Sequence, residues 1–252
     1  MWCKSTTFRS IHPKGNSFIF FDFDNFYIFI LGLYRINRYL CSSHSKPSSM
    51  KIKGLLLSLL IASPMMAMAQ NIELPAPQKQ GGQPLMQVLA QRASTRQFDT
   101  TRAIEPQTMA DLLWAAWGYN REDKRTAPSA LNRQEISLYV ITAQGAYCYD
   151  ARQNVLTQVA AGDFRKSAGK QPFAQTAPLN IVFVADRDKA PGNDMMFVDC
   201  GFIAQNIYLY CASAGLGSVV RGSFDAAELA QVLKLNERQK VILTQTVGYP
   251  AR

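Results

Sequence analysis

The chain predicts an α+β domain in which helices pack on a mainly antiparallel sheet, and three features of the sequence predict it. Short β-prone runs follow one another through residues 136–159, split by turn-forming residues. A further run at 179–185 is almost continuously apolar, as a strand buried on both faces would be. Segments with helical spacing lie before, between and after these strands rather than alternating with them one for one, which favours α+β over a parallel βαβ order.

Taken in order, residues 84–92 suit a short helix. Residues 106–119 suit a longer one, with Pro106 in its first turn and Met109, Leu112, Leu113, Ala116 and Trp117 on one side. Residues 136–142, 146–149 and 155–159 form a small meander, broken at Gly145 and across 150–154. After the strand at 179–185, Pro191, Gly192 and Asn193 make a turn into a helix at 195–214. That helix carries Phe197, Val198, Phe202, Ile203, Ile207, Leu209, Tyr210 and Cys211, too much apolar circumference for a surface helix, so it is central or faces a second subunit. Gly215 ends it, and residues 218–220 return as a strand. Asp225 with Glu228 opens a capped helix to Leu233, and a last strand spans 241–247.

The net charge of +9 would suggest an acidic partner if it were spread over the domain. It is not. Residues 1–69 hold 8 Lys or Arg against Asp22 and Asp24, leaving 19 basic and 16 acidic residues from Gln70 onward, so no nucleic-acid footprint is indicated. From Met50 the chain has the form of a secretory signal, with Lys51 and Lys53, an apolar stretch at 55–61 and the small-x-small site Ala67, Met68, Ala69. The apolar stretch is short of the roughly 20 residues a membrane span requires, and Pro64 interrupts it. The expectation is cleavage before Gln70 and export to the periplasm or beyond. Residues 1–49 lack domain-like periodicity and are taken as an extension from a misassigned upstream start. A membrane anchor at 17–34 would have to bury Asp22 and Asp24. Residues 70–83, with Pro75, Pro77, Gly81 and Gly82, are expected as a flexible lead-in, and residues 84–252 as one domain.

The two histidines, His12 and His44, both precede the signal, so the exported part would contain none. A Ser-His-Asp triad, a Cys-His pair and His-ligated metal sites are thereby excluded from it. Cys148, Cys200 and Cys211 are odd in number and lack C-x-x-C spacing, which argues against a disulfide framework and a thiolate metal site. Cys200 and Cys211 share a helix face but stand about 16 Å apart at the helical rise, beyond disulfide reach. They are expected as buried apolar residues.

Three polar segments could carry chemistry. Arg92, Ser94 and Arg96 alternate along an extended stretch and so share a face, where two guanidiniums and a hydroxyl could clamp a phosphate. Pro128, Ser129, Asn132 and Gln134 place amide side chains, which both donate and accept, in a turn suited to the edge of a planar ring. In the third segment, Gly215, Gly217, Arg221 and Gly222 superficially match a dinucleotide fingerprint, but they follow a helix and enter a strand, the reverse of what that fingerprint needs. Helix termination at Gly215 explains part of the pattern, and close backbone approach to a flat ligand would explain the rest. Taken singly, the first two segments read as an ordinary solvated basic stretch and an ordinary polar turn. Trp114, Trp117, Tyr119 and Tyr139 are expected mainly as core residues.

In this order, and with the closing Gly248, Tyr249 and Pro250, the three segments resemble the nitroreductase family over residues 84–252, in particular its compact branch related to thiazoline and oxazoline oxidases. The resemblance implies an α+β homodimer that binds FMN at the subunit interface. It implies that Arg92 and Ser94 hold the FMN phosphate, that Arg96 approaches the N1 and O2 edge of the flavin, and that Asn132 and Gln134 contact the ring beside Pro128 and Ser129. Glu135 stands where the family often has proline. Backbone groups at Arg221 and Gly222 would lie near flavin N5, and Arg252 would stand for the family's C-terminal basic residues. No catalytic side chain or metal is implied, since the flavin itself exchanges hydride, in a ping-pong cycle between a small-molecule donor and acceptor. A cation beside N1 would favour the anionic reduced flavin. NADH or NADPH is one donor. Export favours another, because nicotinamides are chiefly cytoplasmic. A flavin-binding protein of the same fold without turnover is the competing expectation.

Overall fold

The computed structural model describes residues 71–251. The expected extension, signal segment and Arg252 lie outside the described residues. Within the unit spanning Ala67–Arg252, seven strands form one sheet in the order β1-β4-β3-β2-β5-β7-β6. They are β1 (Ile72–Glu73), β2 (Ile136–Ile141), β3 (Gly145–Asp150), β4 (Val155–Ala161), β5 (Leu179–Asp186), β6 (Gly217–Arg221) and β7 (Gln239–Gly248). Their ladders are antiparallel. The expected meander is the β4-β3-β2 part of the sheet, and the later strands extend it.

The helices are α1 (Leu85–Gln91), α2 (Pro106–Trp117), α3 (Arg165–Ala168), α4 (Pro172–Thr176), α5 (Asn193–Ser213) and α6 (Ala226–Val232). Side chains alternate across each strand, and both faces of the sheet centre are covered. Leu138, Val140, Ile181 and Phe183 turn to the face packed by Leu112, Leu113 and Trp117 of α2 and by Cys200, Ile203 and Ile207 of α5. Tyr139, Ile141, Val182 and Val184 turn the other way, toward Ala168 of α3 and toward Leu229 and Leu233 at α6. This two-sided burial is why β5 is apolar at nearly every position.

Helix α5 positions the site. Met196, Cys200, Ile203, Ala204, Ile207, Tyr208 and Cys211 form its buried face at spacings of three and four. Met195, Phe197, Val198 and Phe202 on its other sides are exposed, as are Leu85, Met86 and Leu89 of α1. The helix is therefore central on one face and bare on another, which accounts for its all-round hydrophobicity. It ends as expected at Gly215, whose φ of +69° suits glycine, with the Leu216 N–H donating back to the Cys211 carbonyl at 2.8 Å. Asp225 caps α6 by accepting the Glu228 N–H at 2.9 Å. Cys200 and Cys211 are buried free thiols, as expected.

The lead-in requires a correction. It is not flexible from 72 onward: Ile72 and Glu73 pair with Leu156 and Val155, and Asn154 Nδ2 donates to the carbonyls of Leu74 and Pro75. The Gln78 N–H donates to Asp111 Oδ1 at 2.7 Å, and the Gln83 N–H to Ser213 Oγ at 3.0 Å. Proline and glycine here specify an extended, bonded strap rather than a loose one. Helices α3 and α4, four and five residues long, are too short for a periodic signal. Among the described residues, no helix is long and apolar enough to cross a membrane.

Candidate functional site

The first and third polar segments meet. Ser94 and Ser218 form a parallel bridge, and the Thr95 N–H donates to the Ser218 carbonyl at 2.9 Å. Their organiser is Tyr208 on α5, a residue absent from the expected site. Its hydroxyl accepts the Val220 N–H at 2.9 Å and lies 3.1 Å from the Ser94 hydroxyl, while the Arg92 guanidinium stands 5.4 Å from its ring centre. One tyrosine thus ties the arginine-serine stretch to strand β6. Nothing in the helical spacing sets Tyr208 apart from the other apolar and aromatic positions of α5. A cavity of about 220 Å³ lies between Thr95, Tyr208, Gly215, Ser218 and Pro250.

Arg92 is half-buried and Arg96 exposed, and neither guanidinium forms a hydrogen bond or ion pair with the described residues, so both forks are free to donate. The three glycines of the third segment divide by role. Gly215 terminates α5. Gly217 admits the Thr95 side chain, whose atoms would stand 2.7 Å from an added Cβ. Gly222, like Gly215, is exposed with nothing within 4 Å of an added Cβ, and its φ is not in the left-handed region, so it leaves open space beside the backbone just past β6.

The Arg221 side chain turns into the core. It is 6% exposed, donating through Nη1 to the Ala168 carbonyl at 2.9 Å and through Nη2 to Asn180 Oδ1 at 2.7 Å. Burial lowers its pKa to about 10. The side chain is a core anchor and only the backbone is left to face a ligand, because alternation along β6 turns position 221 inward.

The second segment is a strained loop. Ser129 Oγ accepts the Gln134 N–H at 3.0 Å around a 3-10 turn at Ala130–Asn132. Leu131, Asn132 and Gln134 have φ of 53°, 54° and 50°, a left-handed conformation that costs non-glycine residues about 1 kcal/mol or more each. Leu131 is 79% exposed there, and Pro128 and Asn132 are exposed beside it.

Gln134 supplies the opposing bonds, and its side chain is saturated. Oε1 accepts from Arg125 Nε at 2.9 Å and Tyr119 Oη at 3.4 Å, while Nε2 donates to the Asp123 carbonyl at 2.7 Å and Asn132 Oδ1 at 3.0 Å. With these four partners the side chain ties the loop to Asp123, Arg125 and Tyr119 and so shapes it. The Arg125 guanidinium lies 3.9 Å from the Tyr119 ring centre, and that of Arg152 stands at the same distance, so Tyr119 is wedged between two cations. Trp117 is core, its Nε1 donating to the Ile136 carbonyl at 2.8 Å, and Tyr139 is buried in the opposite layer. Gln134→Ala is expected to speed amide exchange across residues 129–134 by about tenfold, since it removes the bonds that offset three left-handed residues. Hydrogen-exchange mass spectrometry checks this.

The loop is fastened to α5 at a different point from the clamp. The Ala130 N–H donates to Asp199 Oδ2 at 2.9 Å, whereas the clamp is fastened at Tyr208. Nine residues of helix separate the two, about 13 Å along the axis. Among the described residues no hydrogen bond joins the second segment to the other two. Among the described residues, no group of three or more His, Cys, Asp or Glu could hold a metal ion.

Comparison with known proteins agrees with this architecture. The model of the nitroreductase family matches residues 89–249. A curated relative from Methanocaldococcus jannaschii, named as a nitroreductase, is 27% identical over 170 residues, covering 61% of this chain and 85% of its own length. A crystal structure from Ralstonia eutropha JMP134, titled as a nitroreductase, is 41% identical with a TM-score of 0.67, covering 72% of this chain and 90% of that one. A structure from Desulfovibrio desulfuricans, titled as a nitroreductase in complex with FMN, shares the fold at 23% identity and a TM-score of 0.53, over 68% of this chain and 89% of that one. The chain belongs to the nitroreductase family. It is an oxidoreductase of that family, with the seven-stranded sheet described above.

Proposed function

We propose that this chain binds FMN and uses it to pass electrons between a small-molecule donor and acceptor. The observation that carries the proposal is the stretch holding Arg92, Ser94 and Arg96, whose two guanidiniums bond to no described residue, bridged to strand β6 at Ser218 and tied to it through Tyr208. That donor set fits a phosphate attached to a flat ring system. When bound, FMN supplies hydride exchange at N5, serving donor and acceptor in turn.

The chain's own residues bind and orient. Arg92 and Ser94 would hold the phosphate, with Tyr208 fixing the Ser94 hydroxyl. Arg96 would place a cation at the ring edge that gains negative charge on reduction. Gly222, lacking a side chain, would admit the ring to the β6 backbone. The separation of the loop from the clamp supports a homodimer in which Asn132 and its neighbours serve the site of the second copy. The exposed apolar residues of α1 and α5 supply a surface for that pairing.

Export after cleavage before Gln70 is proposed on the sequence of residues 50–69 alone. Under that reading the donor need not be a nicotinamide. Anaerobic addition of NADH, NADPH and a quinol to the FMN-loaded protein tests the reading. Bleaching of the flavin band by one of them identifies the donor, whereas reduction by dithionite alone would favour a flavin-binding protein without turnover.

A further inference from the structure

Beneath the 129–134 loop lie two carboxyl groups unused by the function proposed above. Glu135 and Asp199 are each 1% exposed. Neither Glu135 oxygen has a hydrogen-bond donor on any other described residue; its own backbone N–H lies beside the carboxyl group, and its close carboxyl neighbour is Asp199. Asp199 meanwhile accepts the Ala130 N–H. Among the described residues no cation is paired with either acid. Two buried carboxylates without a cation cannot both be ionised cheaply, but one proton between them makes a hydrogen bond that satisfies an oxygen of each.

We propose that Glu135 and Asp199 share a proton that fastens the 129–134 loop to α5, and that losing this proton as pH rises loosens the loop. They act as positioning residues, because neither reaches the clamp. The connection is direct. Glu135 follows the last left-handed residue, Gln134; its carbonyl accepts the Asp186 N–H of β5 at 3.0 Å, and Asp199 holds the other end of the loop through Ala130.

The surroundings offer no competing charge. On α5 the next residue is the Cys200 thiol, which burial and these two acids push upward. On β5 the Asp186 carboxylate turns to Lys189, 3.8 Å away. On α2, Trp117 Nε1 is committed to the carbonyl of Ile136, the residue after Glu135, and does not titrate. Burial first, and then Asp199, push Glu135 up to about 7 from 4.5. A folded-state value raised in this way contributes stability that is complete below the unfolded value and is lost as pH rises through the folded one. The lost window runs from about 4.5 to about 7. No histidine occurs among residues 71–251 to mask it.

The test compares thermal midpoints of the FMN-free protein between pH 5.5 and 8 for the wild type, Glu135→Gln and Asp199→Asn. The wild-type midpoint is expected to fall by roughly 5 °C more than that of Glu135→Gln, with Asp199→Asn, which keeps the buried Glu135 but removes its acidic neighbour, falling by less than the wild type. Glutamine mimics the protonated acid, and asparagine at 199 donates to Glu135 while still accepting from Ala130. Equal slopes in all three proteins would overturn the proposal, and if one variant does not fold the other decides. FMN retention supplies a second readout, which rests on the function proposed above. It should weaken severalfold with rising pH in the wild type and less in the variants. If no protein retains FMN, the cofactor assignment fails while the thermal comparison still decides the acid pair.

Discussion

Replacing both Arg92 and Arg96 by alanine is expected to weaken FMN binding by at least about a hundredfold, since each charge-assisted hydrogen bond to a phosphate is worth about 1.5–3 kcal/mol. The fold should be nearly indifferent. Neither guanidinium bonds to the protein, and the contact of Arg92 with Tyr208 is a partly exposed cation-π interaction worth about 0.5–1 kcal/mol. Equilibrium dialysis against FMN, paired with urea unfolding, separates the two effects. Tyr208→Phe should act in between, because it frees the Ser94 hydroxyl and leaves the Val220 N–H without its acceptor. Arg96→Ala alone should slow reduction more than it weakens retention, if its charge serves the ring rather than the phosphate. Undiminished affinity in the double variant would place the cofactor elsewhere.

The second large effect concerns stability. Asn180 lies fully buried and makes three bonds: Nδ2 donates to the Ala174 carbonyl at 2.8 Å, and Oδ1 accepts from Arg221 Nη2 and Thr246 Oγ1, both at 2.7 Å. Asn180→Ala would leave a buried guanidinium with the Ala168 carbonyl as its remaining acceptor. The expected loss is about 3 kcal/mol or more in urea unfolding, because a buried charge stripped of its partner bears most of its desolvation cost. Adding Arg221→Met should recover part of that loss, and a double-mutant cycle measures the coupling. Strict additivity of the two substitutions would show that Asn180 and Arg221 do not support one another.

Arg221 and Asn180 also show where sequence reasoning stops. Strand β6 was legible from its β-branched residues and preceding glycines, but which face Arg221 takes depends on register with β7, where it pairs with Thr244. A lone arginine after a glycine-rich turn carries no sign of that. The meander, β5, α5 and the caps at Gly215 and Asp225 were legible because periodicity, continuous apolarity and capping chemistry are local. The alternation of Arg92, Ser94 and Arg96 along an extended stretch was legible for the same reason. Tyr208, Asp199 and the four partners of Gln134 were not, since each acts on residues distant in sequence or on the unusual backbone of the loop. The short strand at Ile72–Glu73 escaped because two residues carry no period, and it is fixed by bonds to Asn154 and Leu156 some eighty positions later.

The most direct test of the central claim is the visible spectrum of the purified protein after FMN addition and extensive desalting, with molecular mass measured on the same sample. Retention of one flavin per chain in a dimer, with an absorption band shifted from that of free FMN, is the predicted result. A folded protein that emerges colourless would contradict the account.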